Sequence, residues 1–160
     1  MHAQHPDAGR DRALLLEHGD AVGKVCMALL GDRGAAQAAV EETFVQALEG
    51  LAQRGAQQGE TVRGWLFGIV QRVCARQVEV ELARKGDRVD TQRIPGSRSE
   101  RMRGALAELK PTERDAVVLR CVGGLGVAEI AQACRIDERT ARERLNGGLS
   151  RVRAALGSGK

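Results

Sequence analysis

The stretch Gly124–Leu145, GLGVAEIAQACRIDERTARERL, constrains this chain more than any other. Apolar residues fall at Ile130, Ala131 and Cys134 and, beyond Arg135 and Ile136, at Ala141, Leu145, Leu149, Val152 and Leu156. Both runs repeat at the helical period, and the second is sustained to the C-terminus. Asp137 stands where the second run needs an N-cap, because a short carboxylate can accept from an unpaired N–H of the first turn. The spacing predicts a helix over Val127–Cys134, a tight turn, and a second helix beginning after Asp137. Ala131 is small enough for a close crossing, and Ile136 is placed to plug the corner. The turn favours left-handed backbone, which costs roughly 1 kcal/mol at a residue with a Cβ such as Arg135.

Two short helices so joined form a helix-turn-helix, which sets its second helix in the DNA major groove. The polar face of that helix carries Arg139, Thr140, Arg142, Glu143 and Arg144. With Ala141 and Leu145 facing inward, Arg139 lies about 160° and Arg142 about 100° from Ala141 around the axis. Arg139 and Arg142, with Thr140 beside them, are therefore expected at base edges, and Arg144 at a phosphate. Charge supports a polyanion partner. Residues 1–85 carry 10 basic and 11 acidic side chains, whereas residues 86–160 carry 15 and 10. The basic half is the half with the helix-turn-helix.

Elsewhere the chain reads as all-α, with an aliphatic, Ala-rich core, because aromatics are confined to Phe44, Trp65 and Phe67. A polar tail, residues 1–10, precedes a first helix over Asp11–Leu30. The turn GDRG follows, then a second helix over Ala35–Gln53 with Ala36, Val40, Phe44, Ala47, Leu48 and Leu51 inward. The polar loop Arg54–Glu60 leads to Thr61, which can cap a third helix, Val62–Arg84. That helix is expected to bury Val62, Leu66, Ile69, Val70, Val73 and Val80. Residues 11–85 thus make a three-helix bundle. Residues 86–99 are charged, poor in apolar side chains and contain Pro95 and Gly96, as a flexible linker does. Residues 100–157 make a four-helix domain ending in the helix-turn-helix. Its first helix, Glu100–Leu109, would bury Met102, Ala105, Leu106 and Leu109 and stop at Pro111; Thr112 and Asp115 have capping-box spacing for the next.

Cys26, Cys74, Cys121 and Cys134 lie far apart with no CxxC pair, so four buried free thiols are expected rather than zinc or disulfides. No cluster of Asp, Glu, His or Ser has catalytic or metal-ligand spacing, so neither an enzyme nor a cofactor is expected. No run has membrane length and no signal peptide is present, so the expected location is the cytoplasm, without membrane insertion.

Three segments in order carry a family resemblance. LLGDRGAAQAAVEETFVQAL (Leu29–Leu48) is similar to the core-binding helix of the extracytoplasmic-function (group IV) sigma factors of bacterial RNA polymerase. RGWLFGIVQRVCARQVE (Arg63–Glu79) resembles their −10-reading helix, and Ala105–Leu145 their −35-reading region. The resemblance implies a two-domain sigma factor that binds core polymerase, reads two promoter elements and is held by an anti-sigma factor or other regulator. It places −10 contacts at Arg63, Trp65, Arg72 and Arg76, and polymerase or partner contacts at Gln37, Glu41 and Glu42. The chain departs from the family pattern in its first domain. Ala35, Ala36, Gln37 and Ala38 stand where the family carries an acidic cluster, and Glu79 and Glu81 interrupt its basic run. NGGL (Asn146–Leu149) replaces basic residues, and its two glycines are expected to bend or fray the last helix. A sigma-derived regulator or adaptor that no longer binds polymerase or opens promoters is therefore the alternative reading.

Overall fold

A computed structural model describes residues 8–51, 61–85 and 97–157. They form α1 (Ala8–Glu17), α2 (Gly19–Leu30), α3 (Arg33–Leu51), α4 (Val62–Lys85), α5 (Arg98–Ala107), α6 (Pro111–Cys121), α7 (Val127–Cys134) and α8 (Glu138–Gly157). Among the described residues there is no strand, as the periodicity predicts. The Arg54–Glu60 loop and most of the 86–99 linker lie outside the described residues.

The first helix is two helices, so this half has four described helices and not three, and residues 8–10 of the expected tail are helical. The chain turns at His18, whose N–H donates to the Leu15 carbonyl at 3.2 Å. Helix α2 restarts beyond it, with Val22 N–H donating to the His18 carbonyl at 2.9 Å. In α3 the inward stripe is rotated from the expected one. Ala36, Ala39, Thr43 and Ala47 are buried, Val40, Phe44 and Leu51 are half-buried, and Leu48 is exposed beside Val45. Small side chains let α3 lie close against α2 and α4, and the larger ones close the flanks.

Helix α4 is capped as expected, with Gly64 N–H donating to Thr61 Oγ1 at 2.9 Å. It buries Leu66, Phe67, Ile69, Val70, Val73 and Cys74, together with Gly64 and Gly68, a wider belt than one stripe. Val62 is only half-buried and Val80 is exposed near the far end, beyond the packed region. Helix α5 starts earlier than expected because Ser97 Oγ accepts from Glu100 N–H at 3.1 Å, and Met102 faces solvent. Pro111 opens α6 rather than closing α5. Its missing N–H would be unpaired at that position anyway. The Thr112–Asp115 capping box does not form, since Lys110 is the N-cap and Asp115 accepts instead from Gln71 Nε2 at 3.1 Å.

Helix α8 runs unbroken through Gly147 and Gly148. A Cβ on Gly148 would stand 2.6 Å from Val117 Cγ2 and 3.2 Å from the Glu113 carbonyl oxygen. The glycine lets α6 and α8 touch backbone to backbone, and that packing holds a segment whose propensity alone favours fraying. Arg151 Nη1 reaches Glu113 Oε2 at 3.4 Å across the same contact.

The two halves share one apolar core, in which α7 lies on α4 and α2 meets α6. Cys26 and Cys74 are buried in it, Cys74 Sγ donating to Cys26 Sγ at 3.7 Å. Cys121 is exposed and Cys134 half-buried, so only two of the four thiols are in the interior. Burial and the nearby Asp115 carboxylate push the Cys134 thiol up to about 11. No described helix is long and apolar enough to cross a membrane.

Candidate nucleic-acid interface

The interface is built from the turn outward. Gly126 precedes α7, its N–H donating to Glu129 Oε2 at 3.0 Å. At the other end Arg135 takes φ 55° and ψ 49°, the left-handed conformation its position demands. That reversal lets Ile136 N–H donate to the Ala131 carbonyl at 3.0 Å and Arg135 N–H to the Gln132 carbonyl at 3.3 Å, which satisfies the end of α7. Asp137 then caps α8 by accepting from Thr140 N–H at 2.5 Å, and this bond holds its carboxyl below the usual range. Ala141 and Leu145 face inward and are buried.

On the outer face Arg139 and Arg142 are exposed, Thr140 is half-buried at the cap, and Arg144 is half-buried. Arg139 Nε donates to Glu143 Oε1 at 3.1 Å, with the two side chains 88% and 65% exposed. So exposed a pair is worth only about 0.3–0.5 kcal/mol and is readily exchanged for a phosphate or a base edge. Arg144 lies closer to the body, where its charge favours ionised Asp115 and Asp137. The geometry thus sets two arginines outward at the start of a helix and a third beside its base.

A family model described as "Sigma-70, region 4" matches residues 99–152. Residues 99–152 are thus similar to a sigma-70 region 4. The match runs from α5 into α8 and takes in the whole helix-turn-helix. Over most of the chain the fold is similar to that of two solved sigma-factor complexes. One is the sigma factor RpoE in complex with the anti-sigma factor NepR from Bartonella quintana. It has a TM-score of 0.74 and 18% identity over 92% of this chain and 97% of that chain. The other is CnrH in complex with the cytosolic domain of CnrY, with a TM-score of 0.70 and 18% identity over 96% of each chain. Comparison with curated proteins returns no match. The resemblance drawn from the sequence is borne out by the region 4 match and, over the rest of the chain, by the fold.

The residues expected to read the −10 element do not form one free patch. Arg63 Nη2 donates to the Gly123 carbonyl at 2.6 Å and Nη1 lies 3.8 Å from Glu129, both in region 4. The Trp65 ring lies over Gly50, where a Cβ would be 2.9 Å from Cζ2, so this side chain is half-buried at the α3–α4 contact. Arg76 pairs with Glu42, which also accepts from Gln46 Nε2 at 3.1 Å. One residue assigned to DNA is thereby joined to one assigned to polymerase. Gln37 Nε2 donates to Glu41 Oε1 at 3.2 Å, and both are exposed on α3. Burial, and secondly the charge of Arg135 in region 4, lower the affinity of Arg72 for its proton.

Sequence reasoning missed the residues that join region 4 to α4. Gln132 Oε1 accepts from Thr61 N–H at 3.2 Å and Oγ1 at 3.4 Å, while its Nε2 donates to the Thr61 carbonyl at 3.1 Å. A Cβ on Gly64 would stand 2.2 Å from Gln132 Oε1, and one on Gly68 3.4 Å from the Ala133 carbonyl oxygen. The signal was present as two glycines four residues apart in RGWLFGIV. That spacing puts both on one helix face, where a second helix can come close.

Proposed function

We propose that this chain is an extracytoplasmic-function sigma factor that directs core RNA polymerase to promoters, with α8 reading the −35 element and α4 the −10 element. The carrying observation is the outward display of Arg139 and Arg142 at the start of α8, within a region 4 match and a sigma-factor fold. Backbone N–H groups and the positive end of the helix dipole point the same way, toward DNA. The partners are core polymerase, promoter DNA and a protein regulator. A regulator is supported by the two similar structures, each solved with a second protein bound.

The alternative is a sigma-derived regulator or adaptor without polymerase binding. It is favoured by one observation on α3: Gln37 and Ala38 are exposed and uncharged, and Glu42 is already engaged by Arg76. Sizing chromatography of the chain with purified core polymerase separates the two, since a sigma factor co-elutes with polymerase and an adaptor does not. If the chain is a sigma factor, Ala35→Asp with Ala38→Asp should strengthen that association, each carboxylate by about 1–3 kcal/mol at a charged interface. An unchanged affinity would remove α3 from the polymerase contact.

A further inference from the structure

Cys26 of α2 and Cys74 of α4 are both buried, and their sulfurs meet in the core. Cys74 Sγ donates to Cys26 Sγ at 3.7 Å, and the two residues are 48 positions apart in the chain. That bond holds the Cys26 thiol below its ordinary value, against burial, while the bond and burial together push the Cys74 thiol up. Thiols sealed in an apolar core are inert. Cys74 is not sealed. A cleft of about 210 Å³ between α2, α4 and α6 has Cys74 in its wall, beside Gln71 and Asp115. A molecule the size of water takes up roughly 30 Å³, so a small oxidant has room there. Arg114 lines the same cleft, and its Nε is buried with no hydrogen-bond partner among the described residues. A cationic donor of that kind stabilises an oxygen that departs with negative charge.

We propose that Cys26 and Cys74 are a redox pair: a small hydroperoxide entering by this cleft converts them to a disulfide that ties α2 to α4. In the first step Cys74 Sγ attacks the peroxide and the O–O bond breaks, which leaves a sulfenic acid on Cys74. The departing oxygen, steadied by Arg114, takes the thiol proton and leaves as water from hydrogen peroxide or as an alcohol from an alkyl hydroperoxide. In the second step Cys26 Sγ attacks the Cys74 sulfur and the S–O bond breaks. The hydroxyl leaves as water with the Cys26 proton. Two thiols are oxidised and one peroxide is reduced, with no other reactant. The sulfurs close from 3.7 Å to a bond of about 2.0 Å, a shift of under about 2 Å. The tie spans 48 positions and encloses α3, so it restricts the unfolded chain more than the folded one.

The test uses the full chain carrying Cys121→Ser and Cys134→Ser, so that Cys26 and Cys74 are its only thiols. A slight excess of hydrogen peroxide in native buffer should lower the mass at the thiols by two hydrogens. Digestion should then release one disulfide-linked peptide pair joining Cys26 to Cys74, and dithiothreitol should restore both thiols. Adding Cys26→Ser should stop the reaction at a Cys74 sulfenic acid, captured by dimedone, whereas adding Cys74→Ser should leave Cys26 unmodified. Cys26→Ala serves in place of the serine variant if that fails to fold. Arg114→Met should slow thiol loss at least about tenfold. The oxidised chain should have a higher urea midpoint than the reduced chain, a shift that Cys26→Ser abolishes. Thiols that react only in urea, a dimedone adduct on Cys26, an unchanged rate in Arg114→Met, or an oxidised chain less stable than the reduced one would each overturn the redox pair.

Discussion

Arg135 is a residue held in a conformation that suits glycine. Its φ of 55° is required because α7 must end and α8 begin within the space of Ile136 and Asp137. Arg135→Gly should raise stability by about 0.5–1 kcal/mol, the left-handed penalty less the added chain entropy of glycine. Urea titration checks this, and a loss of stability would mean the arginine makes a compensating contact. Asp115 is a second residue under load. Burial raises its carboxyl above the ordinary value, against the opposing influence of Gln71, Arg114 and Arg144, and the Cys74 and Cys134 thiols lie close by. The unfolded chain therefore gives up this proton at a lower pH than the folded one, and stability falls as pH rises through that interval. Asp115→Asn keeps an acceptor for Gln71 and carries no charge. It should be more stable than the parent at pH 7, with the difference vanishing below about pH 4, where the unfolded-state carboxyl is itself protonated. Denaturation midpoints at the two pH values decide it. A variant weaker at pH 7 would show that the arginines outweigh burial.

At the scale of elements, α7 and α8 were legible from residue spacing to within a residue, because a capped helix, a left-handed turn and a second capped helix each leave a chemical mark. Other elements were not. The α1–α2 break leaves no proline, and nothing in the periodicity separates a turn at His18 from continued helix. The α3 stripe is not legible from side-chain size, since the large Leu48 is exposed while the smaller Ala39 and Thr43 are buried. In α3 the small residues are inside because the neighbours are close. Gly148 is the same lesson in α8, where a poor helix former is held by what its missing side chain admits. The site residues of α8 follow from the helix that was legible, and they carry a prediction. Arg142→Ala should weaken promoter binding by about 1–3 kcal/mol and relax preference at one base pair. Arg144→Ala should weaken all DNA alike and lower the salt slope by about one unit. Salt titrations on specific and nonspecific duplexes distinguish the two, and identical effects from both would mean that neither arginine reads a base.

For the whole molecule, the sequence marks two helical units and the charge difference between them, but not their association. A helix covered on one side and a helix covered on both differ by a few residues such as Gly64 and Gly68, which face Gln132 and Ala133 far along the chain. Expectations for a single face of α4 therefore left its second face unassigned. Whether α8 directs polymerase to promoters is measured by transcription. Core polymerase with the folded parent chain should start transcripts at discrete sites on a genomic fragment library. With Arg139→Ala, Arg142→Ala and Arg144→Ala combined in a variant shown to be folded, those starts should be lost while polymerase binding is retained. The same starts at the same strength from the triple variant, or none from the parent bound to polymerase, would contradict the claim.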